Sequence, residues 1–284
     1  MARIVVITHE YDELLSRRGL LRRWTSSYML YDILGELQRR KHEVIVARGL
    51  SSRPTGDAAL LHVDATVTPD DYVDYGRSFP LCLNLAAADI SKRKVSGAVL
   101  GVNDDWSGPV IVKSNRNSGG APERRMNLRA RRAGQAEPFP EIPEMDEYRI
   151  YETPDELPNG VRSDPNLSVE RFVAEREPDG FALRFWVFCG EAERCTRYVS
   201  PDRLVKAARF IRKEAVPVPD ELRQRRRELG FDYGKFDFVV HQGKAILLDA
   251  NKTPGRPRNL TNLLAEGADN LADGFEGMLL QHSL

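Results

Sequence analysis

The stretch that most constrains this chain is FDYGKFDFVVHQGKAILLDANKTPG, Phe231 to Gly255. Phe236 to Val240 reads as a strand, rich in aromatic and β-branched residues. His241-Gln242-Gly243 supplies a turn in which glycine can take a positive φ. Ala245 to Ala250 returns as a second apolar strand. One acid interrupts each strand, Asp237 and then Asp249. Opposed side chains on antiparallel neighbours can lie only ~5 Å apart. Two carboxylates that close repel unless a positive charge sits between them. Asn251 adds an amide oxygen two residues after Asp249, on the same face of an extended chain. Hard oxygen donors of this kind suit Mg²⁺, which is usually held by carboxylates together with the phosphates of a substrate. Asp237, Asp249 and Asn251 are therefore the candidate metal ligands. The plainer alternative is a hairpin whose acids face solvent.

The start of the chain predicts a different unit. Arg3 to Ile7 is a continuous apolar run of strand length, as in a parallel sheet buried on both faces. A helix is expected from Ser26, with Met29, Leu30, Ile33, Leu34 and Leu37 on one face. Glu43 to Ala47 is the next strand, which predicts a βαβ unit. Leu60 to Val63 and Leu81 to Leu83 are shorter strand candidates. The loop Thr8 to Thr25 carries Arg17, Arg18, Arg22 and Arg23; it suits an anionic co-substrate or simply solvent. With 284 residues, the chain has room for two α/β units.

Charge and cysteine content narrow the classes. Basic and acidic residues balance at 42 each, so no strong field favours nucleic acid or an anionic membrane. No stretch approaches the ~20 apolar residues of a membrane span. Cys82, Cys189 and Cys195 form no CxxC and cannot all pair within one chain, which points to a reducing, cytoplasmic setting.

Between the two ends lie further candidates. Ala88 to Leu100 reads as a helix bearing Lys92, Arg93 and Lys94. Val110 to Lys113 reads as a buried strand ending in a lysine, and a buried lysine needs a partner such as a phosphate. Asn115 to Gly120 follows, a polar loop ending in Ser118-Gly119-Gly120. Its backbone N–H groups could form an anion nest, although no GxxxxGK[ST] is present. Ala121 to Pro143, with five arginines, is expected to be a mobile excursion: a lid, a substrate contact or a solvated loop. Leu167 to Val173 reads as a strand end, and Ala182 to Cys189 with Glu191 to Tyr198 as a hairpin turned at Gly190. Arg184 alternates with apolar neighbours, is expected to face a cleft and is a candidate catalytic residue; Lys206 is a further candidate phosphate contact. Asp220 to Leu229 reads as a helix with an exposed arginine cluster, and a last helix brings Leu260, Leu263, Leu264, Leu271 and Phe275 to the core.

Taken in order, the lysine strand, the glycine loop, Glu170-Arg171-Phe172-Val173, Asp237 and the Asp249-x-Asn251 pair resemble the ATP-grasp superfamily, from about residue 88 to 280. The likeness is to carboxylate–amine ligases of the D-alanine ligase, glutathione synthetase and RimK-like types. It implies an α/β ATP-grasp fold, with residues 1–87 as a small N-terminal α/β domain and 88–284 as the ATP-grasp domain. Within the latter, a glycine-loop subdomain would span about 109–166 and a C-terminal subdomain about 167–284. The resemblance implies ATP and two Mg²⁺ ions. Lys92 (or Lys94) and Lys113 would meet phosphates, and Glu170 to Val173 would form the adenine hinge. Phe172 or Val173 would line the base pocket, and Glu177 (or Glu175) would hold the ribose. Lys235 stands where relatives of D-alanine ligases carry an arginine that steadies the tetrahedral intermediate, and Asp249 where many members have Glu. The implied partners are ATP, a carboxylate substrate and an amine acceptor, amino acid or peptide, in a monomer or homodimer with no nucleic acid or membrane. The implied reaction forms an acylphosphate and releases ADP. The alternatives are a kinase acting on a small-molecule hydroxyl and a nucleotide-binding module without turnover.

Overall fold

In a computed structural model, the structure describes residues 1–14, 16–18, 23–25, 27–101, 104–140, 142–145, 147–205, 209–256 and 261–282. The first strands assemble as a four-stranded parallel sheet in the order Glu43–Arg48, Arg3–Thr8, Ala58–Leu61, Leu81–Leu83. Ile4, Val5, Val6 and Ile7 are fully buried, because helices or loops cover both faces of a parallel sheet. The helix Leu30–Arg39 turns Leu30, Ile33, Leu34 and Leu37 inward. It packs against the last helix, Thr261–His282, in a cluster that includes Leu271 and Phe275. Leu260 lies outside the described residues, as do the side chains of Leu263 and Leu264 and those of Arg17, Arg18, Arg22 and Arg23.

Two antiparallel sheets form the rest. The smaller has the order Arg149–Tyr151, Val110–Ser114, Leu167–Arg171. The larger has the order Arg212–Ala215, Ala192–Ser200, Gly180–Cys189, Tyr233–His241, Lys244–Asn251, with Glu175–Glu177 added on Gly180–Cys189. One face of the larger sheet is an aromatic core. Trp186, Phe188, Phe236 and Phe238 are fully buried there, and Trp186 and Phe188 each meet Phe236 edge to face. Among the described residues, no helix is long and apolar enough to cross a membrane.

Three expectations are corrected. Only Lys92–Val95 of the segment Ala88 to Leu100 is helical. The rest runs extended because its backbone finds partners in distant strands. Gly97 N–H donates to Leu247 O, Leu100 N–H donates to Val169 O, and Ala98 O accepts from Arg171 N–H. The first half of the arginine-rich excursion, which holds all five arginines, is an ordered helix, Ala121–Arg132, with Glu123, Met126, Asn127 and Ala130 buried. Glu123 accepts from the backbone and hydroxyl of Thr66, and Arg129 donates to Tyr11 O, so the helix is docked on the first sheet. Within the helix Asp220–Glu228, Arg226 is not a solvated charge: its guanidinium lies 4.1 Å from the Phe188 ring centre and donates to Phe231 O and Asp232 O.

Candidate active site

The hairpin Tyr233–His241 and Lys244–Asn251 turns through Gln242 and Gly243, both at positive φ. Counting back from the turn, Phe238 pairs with Leu247, and the register then slips. Leu248 is the extra residue of a β-bulge, so Asp237 pairs with Asp249 and Lys235 with Asn251. Without the bulge, Asp249 would face the aromatic core. With it, Asp237, Asp249, Lys235 and Asn251 share the face opposite the core.

That face forms one wall of an open cleft of about 220 Å³, and the small sheet forms the other. Lys92, Lys113, Asp237 and Asp249 line one part of it. Ile111, Phe172, Val173, Leu183, Val239 and Leu248 line it with apolar groups. Three ammonium–carboxylate pairs cross this region. Lys92 Nζ lies 2.7 Å from Asp249 Oδ1, Lys235 Nζ 2.8 Å from Asp237 Oδ1, and Lys113 Nζ 2.6 Å from Glu170 Oε2. Glu170 is fully buried and also accepts from Ser168 Oγ. Glu170, expected in the adenine hinge, thus faces the lysine strand and does not line the cleft.

The charges shift accordingly. Burial pushes Asp249 up, but Lys92 beside it, together with Lys113 and Lys235, holds its carboxyl below the usual range. Burial lifts Asp237 above the usual range, and Lys235 offsets this only in part. Burial opposes the charge on both Lys92 and Lys235, but their acid partners prevail and raise both. Tyr148, which sequence reasoning missed, lines the same region. Burial raises its phenol above the usual range. Its only signal was an aromatic residue opening a short strand, YRIY.

Asn251 Oδ1 accepts from the Thr253 backbone N–H at 2.8 Å. The Thr253 hydroxyl, 3.2 Å from the same oxygen, has a single hydrogen, and Asp64 Oδ1 lies closer to it at 2.7 Å. One lone pair of Asn251 is thus left over. Lys252 anchors this end of the strand, donating to Thr68 Oγ1 and Ala88 O; burial lowers its pKa to about 7.

Other sequence candidates fall elsewhere. Arg184 was expected to face the cleft. It pairs in register with Phe238 and so lies on the core side, where it donates to Glu175. Glu175 and Glu177 are both held by Arg197 beneath the sheet, and neither lines the cleft. Lys94 is half-exposed and 3.7 Å from Asp89. Ser118, Gly119 and Gly120 form a turn of three left-handed residues leading into the helix Ala121–Arg132; they do not line the cleft either. Lys206 lies outside the described residues. Of the segment expected to be a hinge, Arg171, Phe172 and Val173 border the cleft. The Val173 N–H and Arg171 C=O lie 3.1 Å from each other.

No family model and no curated protein matches the sequence. Solved structures do match over nearly the whole chain. An ATP-grasp RimK domain protein from Sphaerobacter thermophilus is 15% identical, with 96% of this chain and 100% of that one covered and a TM-score of 0.51. The ATP-grasp ligase PsnB, complexed with a minimal precursor, is 13% identical over 98% of this chain and 99% of its own, also at 0.51. D-cycloserine synthetase DcsG is 11% identical over 97% and 99%, at 0.50. At such identities the likeness is one of fold.

Proposed function

We propose that this chain, whose fold is the ATP-grasp fold, is an ADP-forming ligase that joins a carboxylate to an amine through an acylphosphate. The observation that carries the reading is the cleft face on which Lys92–Asp249 and Lys235–Asp237 sit side by side. In the free chain each acid is neutralised by an ammonium. That is the charge a divalent cation would supply, and the donor set of two carboxylates and one amide oxygen suits Mg²⁺. Asp237, Asp249 and Asn251 would hold it. Bound there, Mg²⁺ would spread the charge of the transferred phosphoryl group.

The chain's own groups have these roles. The apolar wall of Phe172, Val173, Leu183 and Val239 would take the adenine. The adjacent Val173 N–H and Arg171 C=O would exchange their mutual contact for the base edge. Lys92 and Lys113 would neutralise phosphate oxygens while the substrate carboxylate attacks the γ-phosphorus and ADP leaves. The amine then attacks the acyl carbon, and the tetrahedral intermediate collapses with loss of phosphate and a proton. Lys235 would meet the oxyanion of that intermediate as a point charge, without the fork of an arginine.

Hydroxylamine tests the reaction, because it traps acylphosphates as hydroxamates. Amino acids and short peptides are to be screened for ADP release; peptides merit inclusion because a PsnB structure contains a precursor peptide. An acid that gives ADP, phosphate and a hydroxamate without the natural amine supports the ligase. A stable phosphorylated product would mean a kinase. AMP and pyrophosphate would mean an adenylate route and refute the reading, and nucleotide binding without turnover would mean a regulatory module.

A further inference from the structure

We infer that Tyr148 caps the phosphate end of the cleft, donating its phenolic O–H to the terminal phosphoryl group in place of the glycine turn. The inference rests on the nucleotide reading above and adds a positioning residue to it. The glycine turn is committed elsewhere. Asn117 N–H donates to Thr66 Oγ1 on the first-sheet side, and a Cβ added at Gly120 would lie 2.5 Å from Ile142 Cγ2. Residues 142–145 therefore cover the turn rather than leave it open to an anion.

The chain returns to the small sheet at Arg149, paired with Val112. Continuing that antiparallel register by one step sets Tyr148 opposite Lys113, so their side chains share a face. The Tyr148 ring lies 5.9 Å from the Lys113 ammonium, within cation–π range. The residue is 40% exposed and lines the cleft with Lys92, Asp237 and Asp249. Among the described residues, no hydrogen bond is made by its hydroxyl. A ring braced on the phosphate lysine, with an uncommitted donor beyond it, is the arrangement a terminal phosphoryl oxygen would use.

The test compares the full-length chain with Tyr148→Phe by calorimetric titration in excess Mg²⁺. The probes are AMPPNP, which carries the terminal phosphoryl group, and AMP, which lacks it. Loss of one hydrogen bond to a charged group should weaken AMPPNP about tenfold or more, with AMP affinity unchanged. Tyr148→Leu, which also removes the ring, should weaken AMPPNP further. Equal losses for AMPPNP and AMP would mean a merely structural role and would overturn the inference, as would AMPPNP affinity unchanged from wild type. A wild-type chain that binds neither probe would overturn the ligase reading and this role together. Normal wild-type binding with an unaffected Tyr148→Phe would remove Tyr148 alone.

Discussion

The ammonium of Lys92 lies 2.7 Å from Oδ1 of Asp249, 157 positions away in sequence. Lys92 is 1% exposed, so its charge depends on this partner. Lys92→Met should leave Asp249 uncompensated and lower stability by roughly 2–3 kcal/mol. That is less than a fully buried pair would lose, since 29% of the Asp249 side chain is exposed. Millimolar Mg²⁺ should restore part of the loss. Denaturant midpoints with and without Mg²⁺ measure it, and a deficit indifferent to Mg²⁺ would count against the metal assignment.

Lys113 and Glu170 form a second test. Glu170 has no exposed surface, so Lys113→Met should cost about 3–5 kcal/mol. Adding Glu170→Gln, which removes the stranded charge, should recover most of that stability but none of the ATP affinity. A double-mutant cycle read in both stability and ATP binding separates the two roles. Recovery of ATP affinity in the double variant would rule out a phosphate role for Lys113.

His62 predicts an acid sensitivity. It is fully buried, edge-on to Tyr28 at 5.1 Å, and neither ring nitrogen has a hydrogen-bond partner. Burial lowers its pKa to about 3. The unfolded chain accepts this proton near pH 6.5 and the folded chain only near pH 3. The stability linked to His62 is thus complete above pH 6.5 and is lost as pH falls through that window. At pH 5 the loss should be about 2 kcal/mol. His62→Phe should abolish that portion, leaving the shares of the other shifted groups, among them His9, which burial lowers to about 4, and Asp12, which burial raises to about 7. Urea titrations at pH 7.5 and pH 5 should therefore diverge between wild type and variant; parallel behaviour would contradict the argument.

Two glycines of the last helix should respond in opposite directions. A Cβ at Gly274 would sit 1.9 Å from Cys189 O, whereas one at Gly277 would meet nothing within 4 Å. Gly277→Ala should stabilise by about 0.5–1 kcal/mol through helix propensity. Gly274→Ala should destabilise by about 1–3 kcal/mol by prying the helix from the hairpin turn at Gly190. Thermal melts of the two variants decide it.

Much of the fold was legible because strands buried on both faces read as plain apolar runs. Arg3 to Ile7 behaves so; Ala182 to Cys189 and the hairpin after Phe236 were legible instead from dense aromatic and β-branched residues, with one face in the core. The excursion after Gly120 was opaque because its helix buries Glu123 and Asn127 through tertiary hydrogen bonds, not through an apolar stripe. The face taken by Arg184 could not be read either. Gly180–Cys189 is hydrophobic on both sides, and only pairing with Phe238 fixes which side is which. Of the site, the sequence order brought out Lys92, Lys113, Asp237 and Asp249. Tyr148 went unseen because it lies beyond that excursion, just before a strand of only three residues, Arg149–Tyr151, that the sequence did not mark.

The extra residue at Leu248 makes the hairpin behave like a parity code. Lengthening or trimming Lys244–Asn251 between the turn and Asp249 by two residues would preserve which side each acid takes, at the cost of a shifted register. A change of one residue would invert it, sending Asp249 and Asn251 into the aromatic layer and turning Ala250 outward. Insertions and deletions on this arm should therefore survive selection only in even numbers, even where the altered sequence still makes a sound hairpin.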